Sequence, residues 1–207
     1  MRKLVMEKTD MKLSCLMALL YLGSCICVSA ADVRKPDAVV RKLYDQVVAR
    51  RPLGVPKGLN KDAIWPFLSK RLIRRLETAQ ACEADYYRQH VGDDGKPRFG
   101  WLESGLFSGE NEMASPVEAV VENIKPQKDG SFHVYVKLRF KDGESPDSAL
   151  SSPWYVATRV ITERGRFVVD DILLFEKDST EVESRRLSGA FTECDGSHWI
   201  GRDAVDK

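Results

Sequence analysis

The sequence predicts an α+β domain in which helices pack on one face of a curved antiparallel sheet. Two successive periodicities of apolar residues along the chain lead to this prediction. From about residue 36 to residue 90, apolar residues recur every three or four positions, which is typical of amphipathic helices. From about residue 116 onward the period falls to two, which is typical of half-buried strands.

The first helix is expected to begin at Pro36 and to end near Arg50-Arg51, where Pro52 and Gly54 supply the stop. Its apolar residues recur at spacings of three and four, so they share one face of the helix. These residues are Val39, Val40, Leu43, Tyr44, Val47 and Val48.

Two further helical segments are expected after the first. Asn60 is expected to cap a short segment, which Pro66 separates from a longer helix. Ser69 is expected to be the N-cap of that longer helix, which continues toward His90. Cys82 follows the apolar periodicity, so it is expected on the core side of the longest helix.

Four strands are expected in the second half of the chain, at 116–124, 132–140, 154–162 and 167–175. The second is the clearest, because apolar and polar residues alternate along it. Asp129-Gly130 and the Glu163–Arg166 segment supply turn chemistry. The 101–108 segment is apolar and spaced by glycines, so it is expected to be irregular and extended. A short helix is expected over 180–187, with Thr180 and Glu183 as a capping box.

Residues 1–30 are expected to be a secretory signal peptide. Residues 13–28 form an uncharged apolar run preceded by Lys12. This run is short for a membrane span, which needs about 20 apolar residues. Val28-Ser29-Ala30 precede Ala31, and signal peptidase accepts residues of this size before the cut, so cleavage is expected after Ala30. The mature chain, 31–207, is then expected to be a single domain with a C-terminal tail.

A lipoprotein is the alternative reading of this leader. Leu22-Gly23-Ser24-Cys25 resembles a bacterial lipobox, in which Cys25 would carry the lipid anchor. Otherwise these residues belong to the apolar part of the signal, and the mature protein is periplasmic or secreted. A membrane is therefore expected as a partner only if Cys25 is lipidated.

The charge balance gives no reason to expect a nucleic-acid-binding protein. The chain has 32 Lys+Arg and 31 Asp+Glu, a net charge of +1, and the leader contains four basic and two acidic residues, so the mature chain has a net charge of −1. Nucleic-acid-binding domains are typically basic, so no nucleic-acid partner is expected. Lys70-Arg71 and Arg74-Arg75 are accordingly interpreted as a solvated helix face.

Only Cys82 and Cys194 of the five cysteines remain in the mature chain. Two cysteines in an oxidising compartment favour a disulfide, which would tie the C-terminal tail back to the long helix. The bond would close a loop of 112 residues. The alternative is one buried thiol and one thiol near the surface.

Four strings along the chain resemble a known superfamily: Val40–Tyr44, Trp101–Phe107, Trp154–Val156 and Val168–Ile172. They are similar to the superfamily named for nuclear transport factor 2, which includes ketosteroid isomerase and polyketide-cyclase-like enzymes. More narrowly, the chain resembles bacterial exported proteins of the domain-of-unknown-function family 3828. The resemblance implies a cone-shaped fold with a pocket between sheet and helices. It implies no particular activity, because this fold hosts many unrelated functions.

Asp170 and Asp171 are the candidate catalytic residues. Apolar neighbours would raise the pKa of either carboxyl group, as a proton-abstracting general base requires. Alternatively, one carboxylate pairs with Arg159 or Arg166 and the other meets solvent at a strand bend. Strand alternation groups Asp170 with Val168, Ile172 and Leu174, and it groups Asp171 with Phe167, Val169, Leu173 and Phe175.

No cofactor or metal site is expected from the sequence. His90, His133 and His198 share no ligand spacing, and the chain has no Cys-x-x-Cys motif. It also lacks a phosphate-binding glycine loop and a Gly-x-Ser-x-Gly elbow. Five aromatic residues are candidates for lining a ligand pocket: Tyr44, Tyr86, Trp101, Trp154 and Tyr155.

Three functions are compatible with these patterns. The leading prediction is a non-catalytic exported domain that binds a small apolar ligand or an envelope protein. The first alternative is an enzyme of the isomerase or dehydratase type, with either carboxylate of the Asp pair as its general base. The second is an inhibitor or immunity-like protein that blocks a partner through the face of His133, Lys137 and Arg139 or through the 92–112 loop.

Overall fold

A computed structural model describes residues 35–91, 101–102, 104–109, 116–140, 153–175 and 183–201. It confirms the α+β class, with three helices packed against an antiparallel sheet. The expected signal peptide, Cys25 and much of the 92–112 loop lie outside the described residues. Within the described ranges, no helix is both long and apolar enough to cross a membrane.

The helices are α1, Pro36–Arg50; α2, Gly58–Ile64; and α3, Lys70–Gln89. A 3₁₀ turn at Trp65–Phe67 contains Pro66 and separates α2 from α3, as the sequence predicts. The predicted N-cap of α3 is also confirmed. The Ser69 hydroxyl accepts a hydrogen bond from the Leu72 backbone N–H at 3.0 Å, which satisfies one of the unpaired donors of the first turn.

The prediction that Asn60 caps α2 is wrong. The helix begins two residues earlier, at Gly58, with Lys57 in the N-cap position. The Lys57 carbonyl accepts hydrogen bonds from the backbone N–H groups of Asn60 and Lys61, so the backbone closes this helix start without a side-chain cap. Asn60 is therefore a residue of the first helical turn.

Five strands pair antiparallel in the order of the chain. They are β1, Glu118–Pro126; β2, Phe132–Arg139; β3, Trp154–Glu163; β4, Arg166–Phe175; and β5, Glu183–Arg186. Gly130 has φ +79° in the β1–β2 connection. Arg164 and Gly165 have φ +53° and +76°, and two successive positive φ values are typical of the tight turn that joins two antiparallel strands.

The prediction of a short helix over 180–187 is wrong for the residues that are described. Glu183–Arg186 forms β5, which is followed by a 3₁₀ turn at Leu187–Gly189. β5 pairs with the end of β4, from Leu173 to Phe175. That edge of β4 would otherwise expose its backbone hydrogen-bonding groups, and this tertiary demand outweighs the local capping pattern.

The main core lies between the helices and the sheet, with α1 packed across β1 to β4. β2 shows the predicted alternation, because Val134, Val136 and Leu138 are fully buried while the residues between them are half-buried. This burial of one strand face against α1 is the arrangement that the change of period predicts.

The C-terminal tail is bonded to α3. Two short strands, β6 at Cys194–Asp195 and β7 at His198–Trp199, form a small hairpin. Cys194 forms a disulfide with Cys82, whose side chain is completely buried, and the two Cα atoms lie 6.0 Å apart. The predicted disulfide is therefore confirmed.

Candidate functional site

Asp170 and Asp171 lie beside a gap in the pairing of β4. Just before them, Val169 forms a parallel bridge with Leu68, which precedes α3. Just after them, Leu173 pairs with β5. In the described part of the chain no strand pairs with this edge of β4 between the two contacts. Side chains from the start of α3 and from the turn after β5 reach the two carboxylates there.

A β-bulge interrupts β4 at Asp170. The register with β3 shifts between Arg159 and Val160, which leaves Asp170 without a partner residue on that strand. One extra residue reverses the alternation of side chains, so Val169 and Ile172 both belong to the main core. The predicted grouping placed these two residues on opposite faces. It is wrong because it assumed an unbroken strand.

Asp170 is a buried carboxylate whose acceptor positions are occupied. Its Oδ1 accepts hydrogen bonds from Ser69 Oγ at 2.7 Å and from Arg71 Nε at 3.0 Å. Its Oδ2 accepts from Arg71 Nη2 at 2.9 Å and from Arg159 Nη1. A carboxylate offers about four acceptor positions, so these bonds leave none for a substrate.

The surroundings of Asp170 lower the pKa of its carboxyl group. Burial alone raises this pKa, because a desolvated charge is unfavourable. Hydrogen bonds from Arg71 and Ser69, together with the charges of Arg71 and Arg159, outweigh burial and hold the pKa below its ordinary value. The raised pKa expected of a general base is therefore not found at Asp170. The hydrogen bond to Asp170 also raises the pKa of Arg71.

Asp171 is equally buried and binds the turn that follows β5. Its Oδ1 accepts from the backbone N–H groups of Ile172 and Ser188, both at 3.0 Å, and its Oδ2 accepts from the Ser188 hydroxyl at 2.6 Å. The alternative prediction is thus confirmed where it pairs one carboxylate, Asp170, with Arg159. It is wrong where it exposes the other carboxylate to solvent, because Asp171 is 2% exposed.

The network continues across the sheet to the β1–β2 turn. Arg159 Nη2 donates to Asp129 Oδ2 at 2.9 Å. Asp129 Oδ1 accepts from the Ser131 hydroxyl at 2.6 Å and from the Ser131 backbone N–H at 3.0 Å. The Ser131 hydroxyl and then Arg159 lower the pKa of Asp129. Arg159 therefore joins a buried carboxylate to an exposed one.

Next to the Asp pair, α3 and the turn after β5 form an open groove of about 490 Å³. The groove is lined by Arg71, Arg74, Arg75, Thr78 and Ser188. The four residues from α3 are spaced as neighbours on one helix face. Arg75 Nε donates to the Ser188 carbonyl at 3.1 Å, which links the helix to the turn.

Two other open grooves, of about 400 and 250 Å³, share Lys57 and Glu83. These two side chains form an ion pair, with Lys57 Nζ 2.7 Å from Glu83 Oε2. None of the five candidate aromatic residues lines any of the three grooves.

Four of the five candidate aromatic residues belong to the main core or pack against it: Tyr44, Trp101, Trp154 and Tyr86. Tyr44 and Trp101 are buried, and Trp154 is half-buried against the same core. The Tyr44 hydroxyl donates to the Phe107 carbonyl at 2.8 Å. Burial raises the pKa of this hydroxyl well above its usual range, so it remains a donor.

Tyr86 packs against the main core beside the tail hairpin, and Tyr155 packs against another cluster. Tyr86 stacks on His90, with ring centroids 4.2 Å apart, and its ring meets that of Trp199 edge-on. Tyr155 packs against a separate small cluster that includes Leu173. The five aromatic residues are therefore distributed among different surroundings, and their contact with a ligand stays a prediction.

The basic residues of the β2 face are paired within the sheet. Lys137 forms an ion pair with Glu122, which raises the pKa of Lys137. Arg139 Nε lies 4.0 Å from Glu118 Oε2. Two of the three residues expected to contact a blocked partner thus have acidic neighbours on β1.

Among the described residues, no group of three or more His, Cys, Asp or Glu side chains is arranged to hold a metal ion.

Three residues of the Asp network were not recognised from the sequence in these roles. Ser69 was predicted only as a helix cap, Arg71 only as part of a solvated face, and Ser188 not at all. The contacts of Ser69 and Arg71 with Asp170 span 101 and 99 positions. The only available signal was the complementary charge of the arginine cluster and the Asp pair.

Comparison of the chain with protein-family models, with curated proteins and with solved structures found no match. The resemblance of the four strings to the superfamily of nuclear transport factor 2 therefore stays a prediction, and so do the cone shape and the internal pocket that it implies.

Proposed function

We propose that this chain is an exported, non-catalytic domain that binds a small ligand or an envelope protein. The observation that carries the non-catalytic part is the environment of Asp170. Ser69, Arg71 and Arg159 occupy its acceptor positions and lower its pKa. A general base needs a free acceptor and a pKa near the working pH, and Asp170 has neither.

Asp171 supports the same conclusion through its geometry. Both of its oxygens accept hydrogen bonds from Ser188, so the carboxylate holds the turn after β5 against β4. A buried carboxylate is costly to leave without hydrogen bonds, and Ser188 supplies them here. The burial of Asp171 therefore has a structural explanation that needs no catalytic role. Both candidate catalytic residues therefore act as structural anchors.

The disulfide between Cys82 and Cys194 supports export. Disulfides persist in oxidising compartments and are rare in the cytosol. With a signal peptide over residues 1–30, the mature chain of residues 31–207 is periplasmic or secreted. In the lipoprotein version, Cys25 instead anchors the domain to a membrane.

Membership of the superfamily of nuclear transport factor 2 is part of this proposal. It is supported by three helices packed against an antiparallel sheet. Members of one fold bind and transform unrelated molecules, so a non-catalytic member is consistent with that fold.

Native mass spectrometry of the protein purified from an exporting host tests the binding function. We expect a ligand adduct or a stoichiometric partner, and a mature chain that begins at Ala31 or at a lipidated Cys25. A chain without adduct or partner, whose melting temperature no lipid or metabolite raises, would contradict the binding function. A chain that retains residues 1–30 would contradict export.

Single Asp170→Asn and Asp171→Asn variants separate this proposal from the isomerase or dehydratase alternative. We expect both variants to lose stability and to keep the binding of any ligand identified by native mass spectrometry. The enzyme alternative predicts the opposite result, in which a variant keeps its stability and loses turnover of that ligand.

A further inference from the structure

The first two turns of α3 place three guanidinium groups side by side. Arg71, Arg74 and Arg75 are spaced by three and four positions, and Thr78 continues the row. Together with Ser188 they line the groove of about 490 Å³, and none of the five lining residues is acidic. Like charges at these spacings destabilise a helix. Asp170 and Asp171 offset the charge of Arg71, and an anion beside Arg74 and Arg75 would relieve the remaining repulsion.

Two of the three guanidinium groups are fixed by hydrogen bonds within the protein. Arg71 uses Nε and Nη2 to bind Asp170, which leaves Nη1 without an acceptor among the described residues. Arg75 uses Nε to bind the Ser188 carbonyl, and its two terminal nitrogens have no acceptor in the part of the chain that the structure describes. Side chains that are already fixed lose less conformational entropy when they bind a ligand.

The positive charge of this row is only partly compensated. Asp170 and Asp171 are the acidic neighbours of Arg71. Asp170 also pairs with Arg159, so its negative charge is shared between two arginines. In the described residues neither Arg74 nor Arg75 has an acidic partner. The nearby acid of α3, Glu77, pairs with Lys61 at 3.0 Å. Two guanidinium groups are therefore available to attract an anion.

We propose that this groove binds a phosphate monoester group. The terminal oxygens of such a phosphate can accept hydrogen bonds from the planar N–H pairs of more than one arginine, and the Thr78 hydroxyl adds a further donor. The groove is larger than a phosphate, so it has room for the polar molecule or headgroup that carries the phosphate. This inference rests on the proposed binding function and specifies its ligand class and site.

Titration of the purified protein with inorganic phosphate at constant ionic strength tests the site. The Nε–Hε signals of the arginines are followed by ¹H–¹⁵N NMR. We expect saturable shifts at Arg74 and Arg75, and about tenfold weaker binding in Arg74→Gln, because a charged hydrogen bond is lost. Arg74 makes no bond within the described structure, so this variant is expected to fold.

Arg50→Gln is the matched control. It removes the same charge from an exposed position in the last turn of α1, where Arg50 bonds only to Gln46 among the described residues. We expect phosphate binding to change by less than about twofold in this variant, since exposed distant charges are screened. An equal loss in Arg74→Gln and Arg50→Gln would overturn the site, because the effect would be one of net charge.

Vesicles of phosphatidylcholine, with or without phosphatidic acid, identify the source of the phosphate. A preference for phosphatidic acid that Arg74→Gln abolishes supports a lipid headgroup, whereas phosphate binding without that preference supports a soluble ester. The absence of both saturable shifts and vesicle preference overturns the inference. An apolar ligand or partner protein that binds the wild type and Arg74→Gln equally, with no phosphate binding, also overturns it and leaves the proposed binding function intact.

Discussion

The two ends of α3 are fixed to the rest of the domain by different interactions. At the N-terminal end, Ser69 and Arg71 bind the buried carboxylate of Asp170 on β4. In the C-terminal half of the helix, a disulfide joins Cys82 to Cys194 in the tail hairpin. The first attachment consists of hydrogen bonds and charges. The second combines a covalent bond with a hydrogen bond from the Trp199 backbone N–H to Asp85 and a ring contact between Tyr86 and Trp199.

This difference teaches which conditions each attachment requires. A buried ion pair stabilises a fold only while both partners are charged and hydrogen-bonded, because removal of one partner strands the other. A disulfide acts mainly on the unfolded chain, by restricting its conformations. Substitution and acid should therefore weaken the attachment through Asp170, whereas reduction should weaken only the attachment through Cys82.

Loss of the disulfide should have the largest effect. We expect the Cys82→Ala/Cys194→Ala variant to lose about 4–5 kcal/mol of unfolding free energy, since the bond closes a loop of 112 residues. Urea denaturation monitored by circular dichroism measures the loss. Wild-type protein treated with a reductant is the control that avoids a cavity at Cys82. Equal stability of the oxidised and reduced wild type would contradict this account of the C-terminal attachment.

Asp170→Asn should have the next largest effect. The amide cannot neutralise Arg71 and Arg159, so we expect a loss of about 3 kcal/mol, the low end for a broken buried pair because the Arg71 side chain is 52% exposed. Asp171→Asn is the matched control. Its amide keeps an acceptor for the backbone N–H groups, so about 1 kcal/mol should be lost. Urea denaturation that shows equal losses for the two variants would argue against a charge-based attachment at Asp170.

Ser69→Ala should have a smaller effect. The variant removes both the helix cap and one hydrogen bond to Asp170, and we expect a loss of about 1–2 kcal/mol. Ser69→Thr keeps the hydroxyl and serves as the control. If the alanine and threonine variants unfold at the same urea concentration, the hydroxyl contributes nothing to the N-terminal attachment.

Mild acid should have the smallest effect. Because the folded state lowers the pKa of Asp170, its contribution is fully present above the unfolded value of about 3.9 and is lost as the pH falls through the lower folded value. The stability difference between wild type and Asp170→Asn should therefore shrink as the pH falls below about 4. Urea denaturation at a series of pH values measures this difference, and a difference that grows in acid would be the contrary result.

Features that depend on a few neighbouring residues were predictable from the sequence. The Ser69 cap, the alternation of β2 and the tight turn at Arg164-Gly165 are each determined within a short window of chain. The pairing of Cys82 with Cys194 was predictable for another reason, since only two cysteines remain after the expected cleavage.

Features that depend on distant residues were not predictable in this way. β5 forms because the end of β4 needs a backbone partner, and the local capping pattern at 180–187 carries no information about that edge. The bulge at Asp170 reverses the side-chain alternation without any signal in the strand itself. The sequence pattern drew attention to the two carboxylates, but the low pKa of Asp170 depends on Ser69 and Arg71, which lie about a hundred positions away.

The pKa of the Asp170 side chain tests the central claim most directly. The ¹³C shift of its carboxyl carbon can be followed by NMR from neutral pH into acid, with Asp170→Asn to assign the signal. The account predicts a pKa below the ordinary value of about 3.9, because Arg71, Ser69 and Arg159 stabilise the charged form. A pKa raised above that value would contradict the account and would favour the general base.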